Sequence, residues 1–233
     1  LGLAAQFWGG DIDASYRALL APSGLSLEEL RQKPSGIHVP LKTRYRKYAG
    51  NGGAAPGFAT PSRKVEIFSE RLQAAGQAPL PDYVEPAVGP VSRPDLAADF
   101  PLVLTSAKSL HYCHSQHRGL PSLRKREPDP LIEMHPAAAA ARRIADGDWI
   151  RLTTPDGAIR ARAKLRDTLD PRVVSTTYGW WQACTAMGLP GYDATGPDGA
   201  NINGAIGNRA TDPISGSVPH RSYLCEVSRI AAP

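Results

Sequence analysis

With 233 residues, 42% of them apolar, the chain can build one sizeable core, or one domain with an appendage. No apolar run approaches the ~18 residues of a membrane-spanning helix, so the sequence reads as a soluble globular protein without a membrane span. A formal charge of +5 favours acidic ligands, but the Lys and Arg are scattered and form no nucleic-acid stripe, and 3 widely spaced cysteines without a C-x-x-C pair make no disulfide framework.

The opening LGLAAQFWGG carries no Met, no basic n-region and no apolar h-region, and reads like a cut from a longer protein. Residues 1–57 have little β character. Ser26 is placed as a helix N-cap, with Glu29 closing a capping box over LEELRQ. A basic, aromatic run, LKTRYRKYAG, leads into the loop-like NGGAAPGF. Lys64–Phe68 (KVEIF) alternates like a half-buried strand, and Ser69–Ala75 reads as a short helix ended by Gly76. Prolines crowd 79–99 too densely for a sheet or helix interior, which predicts an extended surface linker and the main boundary.

Beyond the linker the pattern turns to β. Leu102–Thr105 is a short strand, and His135-Pro136 leads into an alanine-rich helix over 137–144. Trp149–Thr153 and Ala158–Leu165 alternate on either side of the Pro155-Asp156-Gly157 turn. Val173–Tyr178 and Tyr223–Val227 complete the β runs. Periodicity by itself supports a β-rich α+β unit with short helices.

The first strand opens into Thr105, Ser106, Lys108, His111, His114, Ser115, His117 and Arg118. Hydroxyl donors and cations in one loop suit a phosphate-bearing ligand; a solvated polar loop is the plainer alternative. His111, Cys113, His114 and His117 also offer imidazoles and a thiol to zinc, although H-x-C-H-x-x-H matches no finger spacing. Gly179-Trp180-Trp181 reads as packing for one indole and a rim position for the other. Asn201 and Asn203 sit in a Gly-rich stretch that reads as an Asx-turn loop. No G-x-S-x-G, H-E-x-x-H, Walker A or G-x-G-x-x-G word occurs, so the chain carries no self-contained catalytic constellation.

Taken in order, FPLVLTSAKSLHYCHSQHR, then LRKREPDPLIEMHPAAAAARRIADGDWIRLTTPDGAIRARAKLRDTLDPRVV, then GWW and GANINGAIGNRATDPISGSVPHRSYLCEV resemble one family. It is the C-terminal molybdopterin-dinucleotide-binding domain of dimethyl-sulfoxide-reductase-type molybdenum or tungsten oxidoreductases. The upstream words FATPSRKVEIFSERLQAAGQAPLPDYVEP resemble the segment that precedes this domain. The resemblance runs from about Phe58 to Ile230, and more loosely from Phe7.

It implies a double-psi β-barrel over 100–233, the linker 79–99, and an N-terminal, partly irregular appendage over 1–78 that is the tail of an upstream domain. It implies molybdopterin guanine dinucleotide as cofactor, held by Thr105, Ser106, Lys108, His111, Ser115, His117 and Arg118. Gly179, Trp180, Trp181, Asn201, Asn203 and Arg221 join them. Ala107 and Lys108 depart from the Gly and Arg common in the family, which puts a bidentate or stacking role at 108 in doubt. Lys108 and Arg118 are expected to be loop cations, not core residues, so that their loss changes folding little.

The metal ligand and any Fe–S cysteines are expected upstream, with catalysis in the full chain and none in this part alone. Implied partners are the rest of the catalytic chain, an Fe–S electron-transfer subunit and a small substrate of the formate, sulfur- or arsenic-oxyanion class. The compartment stays open between bacterial cytoplasm and periplasm. The competing reading is a stand-alone barrel binding an acidic ligand or protein partner without catalysis.

Overall fold

The computed structural model describes residues 2–40, 48, 56–208 and 210–232. Most of the basic run 41–50 and of the loop 51–58 lies outside the described residues. The chain divides into two units, Leu1–Ser69 and Glu70–Pro233. Among the described residues no helix is long and apolar enough to cross a membrane.

The first unit holds α1 (Ile12–Leu20) and α2 (Leu27–Gln32). Asp11 caps α1 by accepting from the Ala14 N–H at 3.1 Å. The capping box on α2 forms as expected: the Glu29 N–H donates to Ser26 Oγ at 3.1 Å, and the Ser26 N–H donates back to Glu29 Oε2 at 2.7 Å. Ion pairs Arg17–Glu28 (2.8 Å) and Arg31–Asp13 (2.7 Å) tie the helices together. Lys64–Phe68 is not a strand. Alternation forms a strand only when a neighbour supplies ladder partners, and this unit contains none among the described residues; Val65 and Ile67 stay exposed.

The second unit begins with α3 (Glu70–Ala74), closed by Gly76 at φ 74° with the Gln77 N–H donating to Leu72 O at 2.9 Å. The proline-rich stretch belongs to this unit, contains α4 (Pro94–Ala97), and packs Val88 against the core. Six strands follow: β1 (Leu102–Ser106), β2 (Leu131–Met134), β3 (Trp149–Thr154), β4 (Gly157–Leu165), β5 (Val173–Thr176) and β6 (Tyr223–Arg229). They close in the order β1-β5-β2-β4-β3-β6, the double-psi type of barrel that the resemblance implies. Helices α5 (Pro121–Arg124) and α6 (Pro136–Ala140) lie in the connections.

Alternation explains the core. Leu102 and Leu104, Ile132 and Met134, Ile150 and Leu152, and Ile159, Ala161 and Ala163 all point inward and are buried. Helix α6 is shorter than the expected 137–144. Arg143 takes a left-handed φ of 56°, and the Ile144 N–H donates back to Ala139 O at 3.0 Å. That closure ends the helix and sends Ile144 into the core.

Two features of the barrel position the loops considered next. Strands β1 and β5 pair in parallel, Ser106 against Thr176, so both chains leave at the same rim. The segment 199–205 is held to the β3–β4 hairpin, where the Arg160 N–H donates to Gly199 O at 2.9 Å and Ile202 enters the core.

Candidate functional site

Three segments far apart in sequence line one cavity of about 210 Å³: His114 and Ser115; Tyr178, Gly179 and Trp181; and Asn201, Ile202 and Asn203. The first two leave β1 and β5 side by side, as parallel pairing requires. Gly179 has φ 80°, and a Cβ there would lie 2.8 Å from Ser115 Cα, so only glycine lets these walls approach. His114, His117 and Trp180 also adopt positive φ without being glycine. Such backbone persists only where its surroundings over-determine it, and it gathers at binding sites.

A second cavity of about 230 Å³ opens on the same loops, with Lys108, His111, Glu127, Glu133, Arg166 and Thr177 among its lining. Arg166 pairs with Glu133 at 2.9 Å. Ser109 Oγ donates to Glu127 Oε2 at 2.7 Å, while Glu127 Oε1 is buried without a partner.

A buried cation–aromatic cluster fixes the loops. Arg118 is fully buried, with its guanidinium 4.6 Å from the Tyr112 ring centroid and 4.7 Å from that of Trp180. Its Nη1 donates to His114 O at 2.8 Å and its Nη2 to Tyr178 O. Burial lowers the Arg118 pKa, Glu127 and Tyr112 oppose the shift, and Arg124 reinforces it. Arg124 is equally buried, and its Nε and both terminal nitrogens donate to backbone carbonyls: Pro128 (2.6 Å), Arg118 (3.3 Å), Gln182 (3.0 Å) and Pro190 (2.9 Å). Trp180 stacks edge-on to Tyr112 and donates Nε1–H to Thr177 Oγ1 at 2.9 Å.

The sequence-predicted residues therefore separate. Ser115, Gly179, Trp181, Asn201 and Asn203 share the first cavity, and Lys108 and His111 share the second. Thr105 and Ser106 belong to β1; Ser106 is buried with its Oγ 3.0 Å from Tyr178 Oη. Asn201 spends its amide on its own loop, donating to Ala194 O at 2.9 Å and accepting from the Asn203 N–H. His117 and Arg221 are exposed and line neither cavity. Arg118 corrects an expectation: it is a core residue, not a loop cation, because its donors end on two backbone carbonyls.

Trp180 is buried and Trp181 is 38% exposed, the division between core and rim that paired aromatics suggest. The zinc alternative lacks its geometry, since among the described residues no three His, Cys, Asp or Glu side chains converge to hold an ion. Arg124 was not legible: within LRKR it reads as a surface run, and only Pro121 at the start of a one-turn helix hints that the chain bends inward there.

Comparison with known proteins gives four relationships. The family model described as the molydopterin dinucleotide binding domain matches residues 102–224. Among curated proteins, a dopamine dehydroxylase of Eggerthella lenta is 31% identical over 188 residues, covering 78% of this chain and 18% of that protein. An acetylene hydratase of Syntrophotalea acetylenica is 30% identical over 187 residues, covering 78% of this chain and 24% of that protein. Among solved structures, acetylene hydratase from Pelobacter acetylenicus superposes with a TM-score of 0.70 at 26% identity, covering 91% of this chain and 28% of the other. The chain thus spans about a fifth to a quarter of the length of these curated relatives.

Proposed function

This chain belongs to the molybdopterin-dinucleotide-binding domain family, and from that premise we propose that its first cavity holds part of a molybdopterin guanine dinucleotide. The observation that carries the reading is the convergence of Ser115, Gly179, Trp181 and Asn203 from three distant loops, with a glycine that admits no Cβ. The donor set fits such a group. The Ser115 hydroxyl and Asn203 amide offer both donors and acceptors for a fused heterocycle, and Trp181 offers an aromatic wall. About 210 Å³ suits one ring system and not a whole dinucleotide, so this domain would share the cofactor with the rest of the protein. Lys108 and His111 in the adjoining cavity are suited to the pyrophosphate.

When bound, the group supplies two-electron chemistry at a molybdenum or tungsten ion held by its dithiolenes. This chain's residues bind and orient it. The full-length protein would then be an oxidoreductase that joins this domain to the remaining catalytic chain and an Fe–S electron-transfer subunit. Formate and sulfur or arsenic oxyanions stay within the substrate range. The relatives' names add dopamine and acetylene, which supports substrate choice by parts outside this domain.

The test is cofactor content of the full-length protein, measured as released pterin per chain. Lys108→Ala should lower affinity by about ten- to hundredfold, the loss of one charge-assisted hydrogen bond, and Asn203→Ala by about two- to tenfold, the loss of a neutral one. Lys33→Ala, in the first unit, should leave content unchanged. Full retention in both cavity variants would return the domain to the stand-alone binding-module reading.

A further inference from the structure

We infer that Arg118 is a positioning residue that clamps the two walls of the first cavity together, with Arg124 supporting it, and that neither contacts the ligand; this rests on the cofactor reading above. Arg118 is fully buried and presents no surface to a ligand. Its two terminal nitrogens reach His114 O and Tyr178 O, and those residues belong to two different segments of the cavity lining. A planar guanidinium can hold two carbonyls in a fixed fork, whereas an ammonium is a point charge. Tyr112 and Trp180 both contact the guanidinium at under 5 Å from their centroids, so the side chain cannot swing away.

The backbone that the clamp holds is left-handed at His114 (φ 52°), Gly179 (φ 80°) and Trp180 (φ 84°), which needs restraint from outside the loops. Arg118 supplies that restraint while leaving its own Nε buried without a partner, a cost that a purely packing residue would avoid. Arg124 carries the restraint outward. It holds the Arg118 carbonyl itself, together with the carbonyls of Gln182 and Pro190 beyond Trp181.

The experiment compares Arg118→Ala and Arg118→Lys in the full-length protein, reading pterin content and the near-ultraviolet circular dichroism of the tryptophans. Both variants should lose cofactor affinity by about ten- to hundredfold, since each leaves a buried carbonyl unsatisfied. Millimolar guanidinium, but not ammonium, should restore binding to Arg118→Ala; a merely destabilised fold would respond to neither salt, because denaturation needs molar concentrations. Should Arg118→Ala not fold, Arg118→Lys carries the test. Retention of cofactor at the wild-type level by Arg118→Lys would overturn the clamp, because charge without a fork would then suffice. Wild-type protein without pterin would sink the cofactor reading alone. The clamp would then be overturned by an Arg118→Lys tryptophan spectrum identical to wild type, and supported by an altered one.

Discussion

Gly179 faces Ser115 so closely that a Cβ on the glycine would lie 2.8 Å from both Cα and Cβ of the serine, and 3.2 Å from Arg118 Nη1. The left-handed φ of 80° adds a second penalty for any other residue. Gly179→Ala should therefore destabilise the second unit by about 2–3 kcal/mol, combining overpacking with αL strain. Urea unfolding should show a lower midpoint with an unchanged slope, and pterin content should fall with it. An unchanged midpoint would mean that the two walls can separate without cost.

Burial, then the nearby Glu127 charge, pushes the Tyr112 phenol up to about 12; burial, then Asp129, does the same for Tyr192. Both folded values lie above the ~10 of a free phenol, so the stability these groups contribute is complete below pH ~10. Above it the unfolded chain releases protons that the fold keeps, and stability declines as pH rises toward 12. Absorbance titration of native protein should show late ionisation within the set of 8 tyrosines, and Tyr112→Phe should remove one late step. Ionisation of all tyrosines near pH 10 in folded protein would contradict the burial of Tyr112 and Tyr192.

Arg143 closes helix α6 from the left-handed region, where its N–H donates to Ala140 O at 3.1 Å and that of Ile144 to Ala139 O at 3.0 Å. Glycine takes this conformation without the Cβ conflict, at some loss of unfolded-state economy. Arg143→Gly should raise stability by about 0.5–1 kcal/mol, or about 1–4 °C in melting temperature. A lower melting temperature would show that the exposed arginine makes a compensating contact.

Much of the barrel was legible because its long strands carry their own pattern. Trp149–Thr154 and Gly157–Leu165 alternate around a two-residue turn, and that signal needs no partner to be seen. Strand β2 was not, since Leu131–Met134 is four residues long, bounded by Pro130 and Pro136, and includes Glu133. KVEIF failed in the opposite direction: it alternates well but meets no neighbouring strand. Within the site, Gly179, Trp181 and Asn203 could be picked out as residue types suited to close approach, stacking and amide bonding. The burial of Arg118 and Arg124 could not, because a cation satisfied by backbone carbonyls has no complementary charge in the sequence to betray it. The same absence of signal hid Tyr178, whose carbonyl accepts from Arg118 and whose hydroxyl meets Ser106 at the end of β1.

The pairing of β1 with β6 has a consequence for how the protein is made. Leu102 lies opposite Cys225 and Leu104 opposite Tyr223, so the first strand of the barrel waits for the last. On the ribosome, β1 through β5 can emerge and begin to collapse, but the ring stays open until Tyr223–Arg229 has left the exit tunnel. Contacts this distant in sequence close slowly. The strands that carry the cavity walls, β1 and β5, therefore gain their complete frame only once Tyr223–Arg229 has joined the ring.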